Sequence, residues 1–169
     1  MVSLFPQEML QRAERLLAAL RGKSVKLATA ESCTGGLIAA LLTEIAGASD
    51  VVERGFVTYS NEAKTEMLGV SPKLLLAHGA VSREVARAMA EGALARSGAG
   101  LALAVTGVAG PGGGSVAKPV GLVEFACAAR GQPTLLRTER FGELGRSRIR
   151  LAAVATGLAL FERALDDGP

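Results

Sequence analysis

With 169 residues, 49% of them hydrophobic, the chain can bury a substantial core as one domain, while no stretch reaches the roughly 18 apolar residues of a membrane span. A formal charge of +3, from 19 Lys and Arg against 16 Asp and Glu, is too weak a bias for a direct nucleic-acid binder, and 4% aromatics without Trp leave little to stack on bases. Cys33, Cys127 and the single His78 supply neither a disulfide framework nor metal-ligand spacing, and Met1–Pro6 lacks the basic start and apolar core of a signal peptide, so the expected compartment is a reducing cytoplasm.

Pro6 to Arg21 places Met9, Ala13, Leu16, Leu17 and Leu20 on one face, which predicts an amphipathic helix ended by Gly22. Val25 to Ala30 has the apolar character of a buried strand, and Leu37 to Ile45 that of a helix, stopped by Ala46-Gly47-Ala48-Ser49-Asp50. Between them lies Glu31-Ser32-Cys33-Thr34-Gly35-Gly36, a turn whose following helix start is expected to present free N–H groups to a ligand. Val51 to Tyr59 is expected to be a strand with an exposed or bulged start at Glu53-Arg54-Gly55. Asn61 to Leu68 is a short helix with Asn61 as N-cap and Gly69 at its end, and Ser71-Pro72 opens another that closes near His78-Gly79. Ser82 to Ser97 is helical, with Val85, Ala86, Met89, Ala93 and Leu94 inward, broken by Gly98-Ala99-Gly100. Leu101 to Val105 is a continuous apolar run suited to the centre of a sheet, followed by a loop over 106–119. Val120 to Ala129 and Thr134 to Phe141 form a hairpin about Arg130-Gly131-Gln132-Pro133, and Glu143 to Leu165 is a long helix. About five strands interleaved with six helices give an α/β sandwich, and the terminal hairpin makes its sheet mixed.

Familiar catalytic motifs fail on context. Gly112 to Ala117 matches G-x-G-x-x-A but runs into Pro119 and a strand instead of opening a helix, and no Gly-Lys-Ser/Thr ending makes it a phosphate loop. Ser32 has Ala30 and Thr34 where a nucleophile elbow needs glycines, and Ser115-Val116-Ala117-Lys118 lies in a Gly/Pro loop where S-x-x-K needs a helical turn. Ser32 and Lys64 remain. A serine hydroxyl is activated when a base takes its proton, and a lysine serves once burial or positive potential, such as that of its own helix start, lowers its pKa. The alternative is an N-capping serine and a solvated lysine. Cys33 is either a rival nucleophile or a small buried hydrophobe. Tyr59 ends its strand beside this region, as a pocket hydroxyl or an ordinary strand aromatic. The loop Thr106-Gly107-Val108-Ala109-Gly110-Pro111 leaves a central strand, and its N–H-rich glycines either cradle an anion or form surface. Arg146 and Arg150 share a helix face that Arg148 does not, so one of them is a candidate phosphate or carboxylate ligand and a solvated basic face is the alternative.

Taken together, Ala30-Glu31-Ser32-Cys33-Thr34-Gly35-Gly36, Tyr59-Ser60-Asn61-Glu62-Ala63-Lys64, Gly79-Ala80-Val81-Ser82, Val105-Thr106-Gly107-Val108-Ala109-Gly110-Pro111-Gly112-Gly113 and Lys118-Pro119-Val120-Gly121-Leu122-Val123 resemble the CinA C-terminal domain, or PncC, family over nearly the whole chain. The resemblance implies a three-layer α/β/α sandwich, standing alone over residues 1–169, and a nicotinamide mononucleotide deamidase with no metal or other cofactor, assembled as a dimer or larger homo-oligomer. It puts the nucleophile at Ser32, the base at Lys64 and a supporting hydroxyl at Tyr59. Substrate binding falls to Thr34, Gly35 and Gly36 after the nucleophile, to Thr106, Gly107, Gly110 and Gly112 in the loop, and to Arg146. Where the family has Gly-Asp-Arg before the last helix, this chain has Leu144-Gly145-Arg146, keeping the arginine without its acidic neighbour. The competing expectation is a non-catalytic module that binds a nucleotide or a protein in competence or the DNA damage response.

Overall fold

The structure is a computed structural model that describes residues 3–166; the N-terminal reading above falls partly on Met1 and Val2, outside that range. In chain order the elements are α1 (Gln7–Gly22), β1 (Leu27–Glu31), α2 (Leu37–Thr43), β2 (Val52–Val57), α3 (Asn61–Leu68), α4 (Pro72–His78), α5 (Arg83–Ala95), β3 (Leu101–Gly107), β4 (Leu122–Ala129), β5 (Leu135–Arg140) and α6 (Arg146–Asp166), with a 3-10 turn at Ala48–Asp50 before β2. The strands form one sheet in the order β2-β1-β3-β4-β5, in which β2, β1 and β3 are parallel and β4 runs antiparallel to both of its neighbours, β3 and β5. The expected mixed α/β sandwich is therefore the observed one.

Strand alternation decides what each face of the sheet carries. Along β3, Leu101, Leu103 and Val105 enter one core and Ala102 and Ala104 the other; β4 repeats the pattern with Val123, Phe125 and Cys127 against Ala126 and Ala128. The bulky face is covered by α1, α2 and α6, the alanine face by α3, α4 and α5. Alanines let α5 sit close, through Val85, Ala86, Met89, Ala90 and Ala93. Its Gly92 passes so near α3 that an added Cβ would stand 2.0 Å from the Leu68 carbonyl oxygen.

Element ends differ from expectation where tertiary pairing adds or removes residues. β1 extends to Glu31 because that residue still pairs with Val57 and Val105, and the β2 bulge lies where the register slips between Leu27 and Ala28, opposite Val52 and Arg54. The cap of α3 is Ser60 and not Asn61: the Ser60 hydroxyl accepts the Ala63 N–H at 3.0 Å, and Asn61 is the first helical residue. Because β1 is flanked by β2 and β3, the chain leaves it through α2 on one face and returns to β3 through α3, α4 and α5 on the other. The ends of β1 and β3 therefore bound a topological switch point, where open α/β sheets leave a crevice. No helix among the described residues is long and apolar enough to cross a membrane.

Candidate active site

Ser32 follows directly on β1 and continues its pairing, donating its N–H to the Val105 carbonyl at 2.9 Å while its own carbonyl accepts the Gly35 N–H at 3.0 Å. The turn then needs two left-handed residues in succession, Gly35 at φ +58° and Gly36 at φ +97°, where glycine escapes the Cβ clash. The N–H groups expected to be free at the start of α2 are occupied. The fully buried Glu31 carboxylate accepts those of Gly36 and Ile38 through Oε2, at 3.2 and 3.1 Å, and that of Ala39 through Oε1 at 2.9 Å. A carboxylate at the positive end of a helix dipole is stabilised, and it displaces any anionic ligand from that position. Thr34, Gly35 and Gly36 accordingly lie behind Ser32 and do not line its cavity.

Lys64 comes from the second turn of α3, whose first residues follow the short Thr58-Tyr59-Ser60 connection from β2. Its side chain is 1% exposed, and its Nζ lies 3.1 Å from the Ser32 Oγ, 3.0 Å from the Thr58 carbonyl and 3.5 Å from the Ser60 carbonyl. Burial lowers its pKa from the ordinary lysine value, with Cys33 and Glu62 opposing weakly. Desolvation, and not the helix start invoked from the sequence, is the main cause. The neutral amine has two N–H bonds and one lone pair. Once the amine is neutral and its N–H bonds go to the two carbonyls, the lone pair is left to face the Ser32 hydroxyl, an arrangement that suits a general base and a nucleophile.

Cys33 takes the smaller role: it is 6% exposed, and burial pushes its thiol up to about 12, far from a reactive thiolate. Tyr59 is exposed, and its hydroxyl accepts a hydrogen bond from Arg146 Nη2 at 2.9 Å, while Arg146 Nη1 donates to the Gly110 carbonyl at 2.8 Å. Arg146 thus ties the start of α6 to both the β2 exit and the glycine loop. Thr106 is buried and donates from Oγ1 to the Ala80 carbonyl at 2.9 Å. Ser32, Lys64, Tyr59, Thr106 and Arg146 share one cavity of about 300 Å³, to which Gly107, Gly110 and Gly112 also contribute. Larger concavities beside α3 and α4 and beside α5 and β5 contain no nucleophile paired with a base.

Three lining residues escaped the sequence reading as site residues, Asn61, Ala80 and Val81, and so did the Glu31 carboxylate behind the turn. Arg150, on the same helix face as Arg146, points elsewhere: its guanidinium donates to the Cys33 and Thr34 carbonyls, at 3.1 and 3.0 Å. Glu31 carried a detectable signal, since a strand that ends in a carboxylate on the face of the next helix has helical amides to bind.

The family model described as CinA C-terminal domain matches residues 9–165. A solved structure described as the competence/damage inducible protein CihA from Agrobacterium tumefaciens is similar at a TM-score of 0.94 and 54% identity, covering 98% of this chain and 99% of that one. A competence-damaged protein (CinA) superfamily protein from Enterobacter cloacae is similar at a TM-score of 0.85 and 30% identity, with 98% of each chain covered. Among curated sequences, a CinA-like protein of Geobacter sp. (strain M21) is 52% identical over 156 residues, or 92% of this chain. The chain spans only 37% of that longer relative.

Proposed function

The chain belongs to the CinA C-terminal domain family, and we propose that it is an amidohydrolase that converts nicotinamide mononucleotide and water to nicotinic acid mononucleotide and ammonia. The observation that carries the proposal is the buried contact of 3.1 Å between Lys64 Nζ and Ser32 Oγ at the floor of a cavity. Lys64, whose pKa burial lowers, takes the hydroxyl proton in its neutral form as Ser32 Oγ attacks the carboxamide carbon. The tetrahedral oxyanion needs a donor. Cys33 lines the cavity, and its N–H meets its own thiol, a weak acceptor, and no oxygen among the described residues, so that N–H fills the role. Collapse of the intermediate breaks the carbon–nitrogen bond as the Lys64 ammonium returns its proton to the leaving nitrogen. Water, deprotonated by Lys64, then cleaves the acyl ester and restores Ser32.

The mononucleotide's phosphate needs cationic or N–H-rich surroundings, which Arg146 and the loop from Thr106 to Gly112 supply at the cavity mouth. Ammonia release from purified protein, compared among nicotinamide mononucleotide, nicotinamide and glutamine, tests the reaction and its substrate together. Activity confined to the mononucleotide and abolished in a folded Ser32→Ala protein is expected. Equal turnover in Ser32→Ala refutes the mechanism, and no turnover with any amide favours the non-catalytic module. A homo-oligomer belongs to the same reading, and a monomer mass by light scattering would count against it.

A further inference from the structure

We propose that Glu31 and Arg150 are positioning residues that grip the Ser32 turn from opposite sides, and that Arg150 serves this grip and not the substrate's phosphate. The inference rests on reading Ser32 as the nucleophile. Each backbone polar group of the turn needs a partner once buried. Ser32 is anchored to Val105 and Gly35, and the Thr34 carbonyl also accepts the Leu37 N–H at 3.1 Å. On the donor side, the N–H groups of Gly36, Ile38 and Ala39 all go to Glu31. On the acceptor side, the carbonyls of Cys33 and Thr34 both go to Arg150, through Nε and Nη2. Two successive carbonyls held by the rigid guanidinium fork fix the orientation of the peptide between them, and a lysine's single point charge would not. Among the turn's donors, this leaves the N–H groups of Cys33 and Thr34 without an oxygen partner among the described residues, and of the two residues Cys33 lines the cavity.

The grip answers a conformational need. Gly35 and Gly36 have more backbone freedom than any other residues, so an unrestrained turn would sample other positions of Ser32. An added Cβ on Gly35 would meet Arg150 Nη2 at 3.3 Å, which shows how closely the guanidinium seats against the turn. The face shared by the two arginines is divided in use: Arg146 lines the cavity, whereas Arg150, a turn further along α6, does not. Displacing a nucleophile by about 1 Å costs on the order of 100-fold in rate, so loosening the grip should act on turnover and leave substrate affinity nearly alone.

The test compares Arg150→Gln, Arg150→Lys and Glu31→Gln with the wild type on nicotinamide mononucleotide and on its phosphate-free riboside, with thermal melts to establish folding. The rate at which Ser32 is acylated by p-nitrophenyl acetate, followed by intact mass, is measured in parallel. For Arg150→Gln, kcat is expected to fall about 10- to 100-fold with KM within about threefold, by the same factor on both substrates and in acylation, with partial recovery in Arg150→Lys. Glu31→Gln, which sets an amide against backbone N–H groups, should behave likewise. A raised KM with unchanged kcat, seen on the mononucleotide and absent on the riboside, would make Arg150 a phosphate ligand and overturn the proposal. So would unfolding of Arg150→Lys, which would make the residue simply structural. Wild-type protein that is acylated at Ser32 but inert to the mononucleotide would refute the substrate and leave the grip to be judged by acylation rates. Absence of wild-type acylation would remove nucleophile and grip together.

Discussion

Replacing Lys64 by Met removes the amine while keeping the side chain as far as Cε, and its expected effect follows from the three contacts of Nζ. The contact to Ser32 Oγ at 3.1 Å is the one to which the proposed mechanism gives the catalytic role. General-base assistance is worth about 100- to 10,000-fold, or roughly 3 to 5 kcal/mol in the barrier, and kcat should fall by that much. The contacts to the Thr58 and Ser60 carbonyls, at 3.0 and 3.5 Å, are structural. Their loss costs about 1 kcal/mol each, offset by no longer burying an amine, so the variant should fold. Burial lowers the Lys64 pKa in the folded chain, so the unfolded chain holds that proton more tightly. The lysine therefore destabilises the wild type below its folded pKa, and this penalty disappears as pH rises toward the unfolded value. The wild type should accordingly gain stability relative to Lys64→Met across that window. Over the same rise kcat/KM of the wild type should climb as the amine loses its proton, with a midpoint below the ordinary lysine value of 10.5. Ammonia release and denaturant melts from about pH 6 to about pH 10 measure both. A Lys64→Met protein within tenfold of wild-type turnover, or a stability difference flat across that range, refutes the assignment.

Arg146→Ala should raise KM for the mononucleotide about 10- to 100-fold, the value of a charge-assisted hydrogen bond, and change the riboside little; equal effects on both would remove its phosphate role. With Cys33 and Cys127 both pushed up to about 12 by burial, native protein should resist iodoacetamide near neutral pH and react only on unfolding. Rapid alkylation of folded protein would contradict that burial. Gly92→Ala should lower stability by about 2 kcal/mol, or roughly 6 °C in Tm, because its Cβ would meet the Leu68 carbonyl oxygen at 2.0 Å; an unchanged Tm would show that α3 and α5 are further apart.

Much of the fold was legible because local signals and tertiary packing agree. The Leu-Ala-Leu-Ala-Val run of β3 announced a strand buried on both faces, and Ser71-Pro72 and Ser82 cap the helices that their residue types predict. Disagreement arose where two capping residues stand side by side. Ser60 and Asn61 are both good caps, and what decides between them is the extended backbone of Ser60 leaving β2, which residue type does not encode. The arginines of α6 show a similar limit. Periodicity puts Arg146 and Arg150 on one face, but only the packing of α6 against the Ser32 turn sends them to different partners.

The pairing of Ser32 with Lys64 is a consequence of parity that the sequence already contained. In β1, Leu27 enters the core beneath α1, α2 and α6, and Glu31, two pleats on, points to the same side and reaches the start of α2. Ala28 and Ala30 face the other core, and Ser32 continues their series toward α3. One strand thus delivers a carboxylate to one helix and a hydroxyl to another. Since the connection from β2 to β3 must cross over β1 through α3, α4 and α5, the first helix of that crossover passes the end of β1 on the hydroxyl's side. A lysine in its second turn is buried against that strand end, stripped of water, and left with a serine and two carbonyls as partners. Had Glu31 and Ser32 been exchanged, the carboxylate would meet the lysine as an ion pair, holding its proton in place, and the serine would only cap α2. In the proposed mechanism, the order of these two residues is what lets the buried amine act as a base.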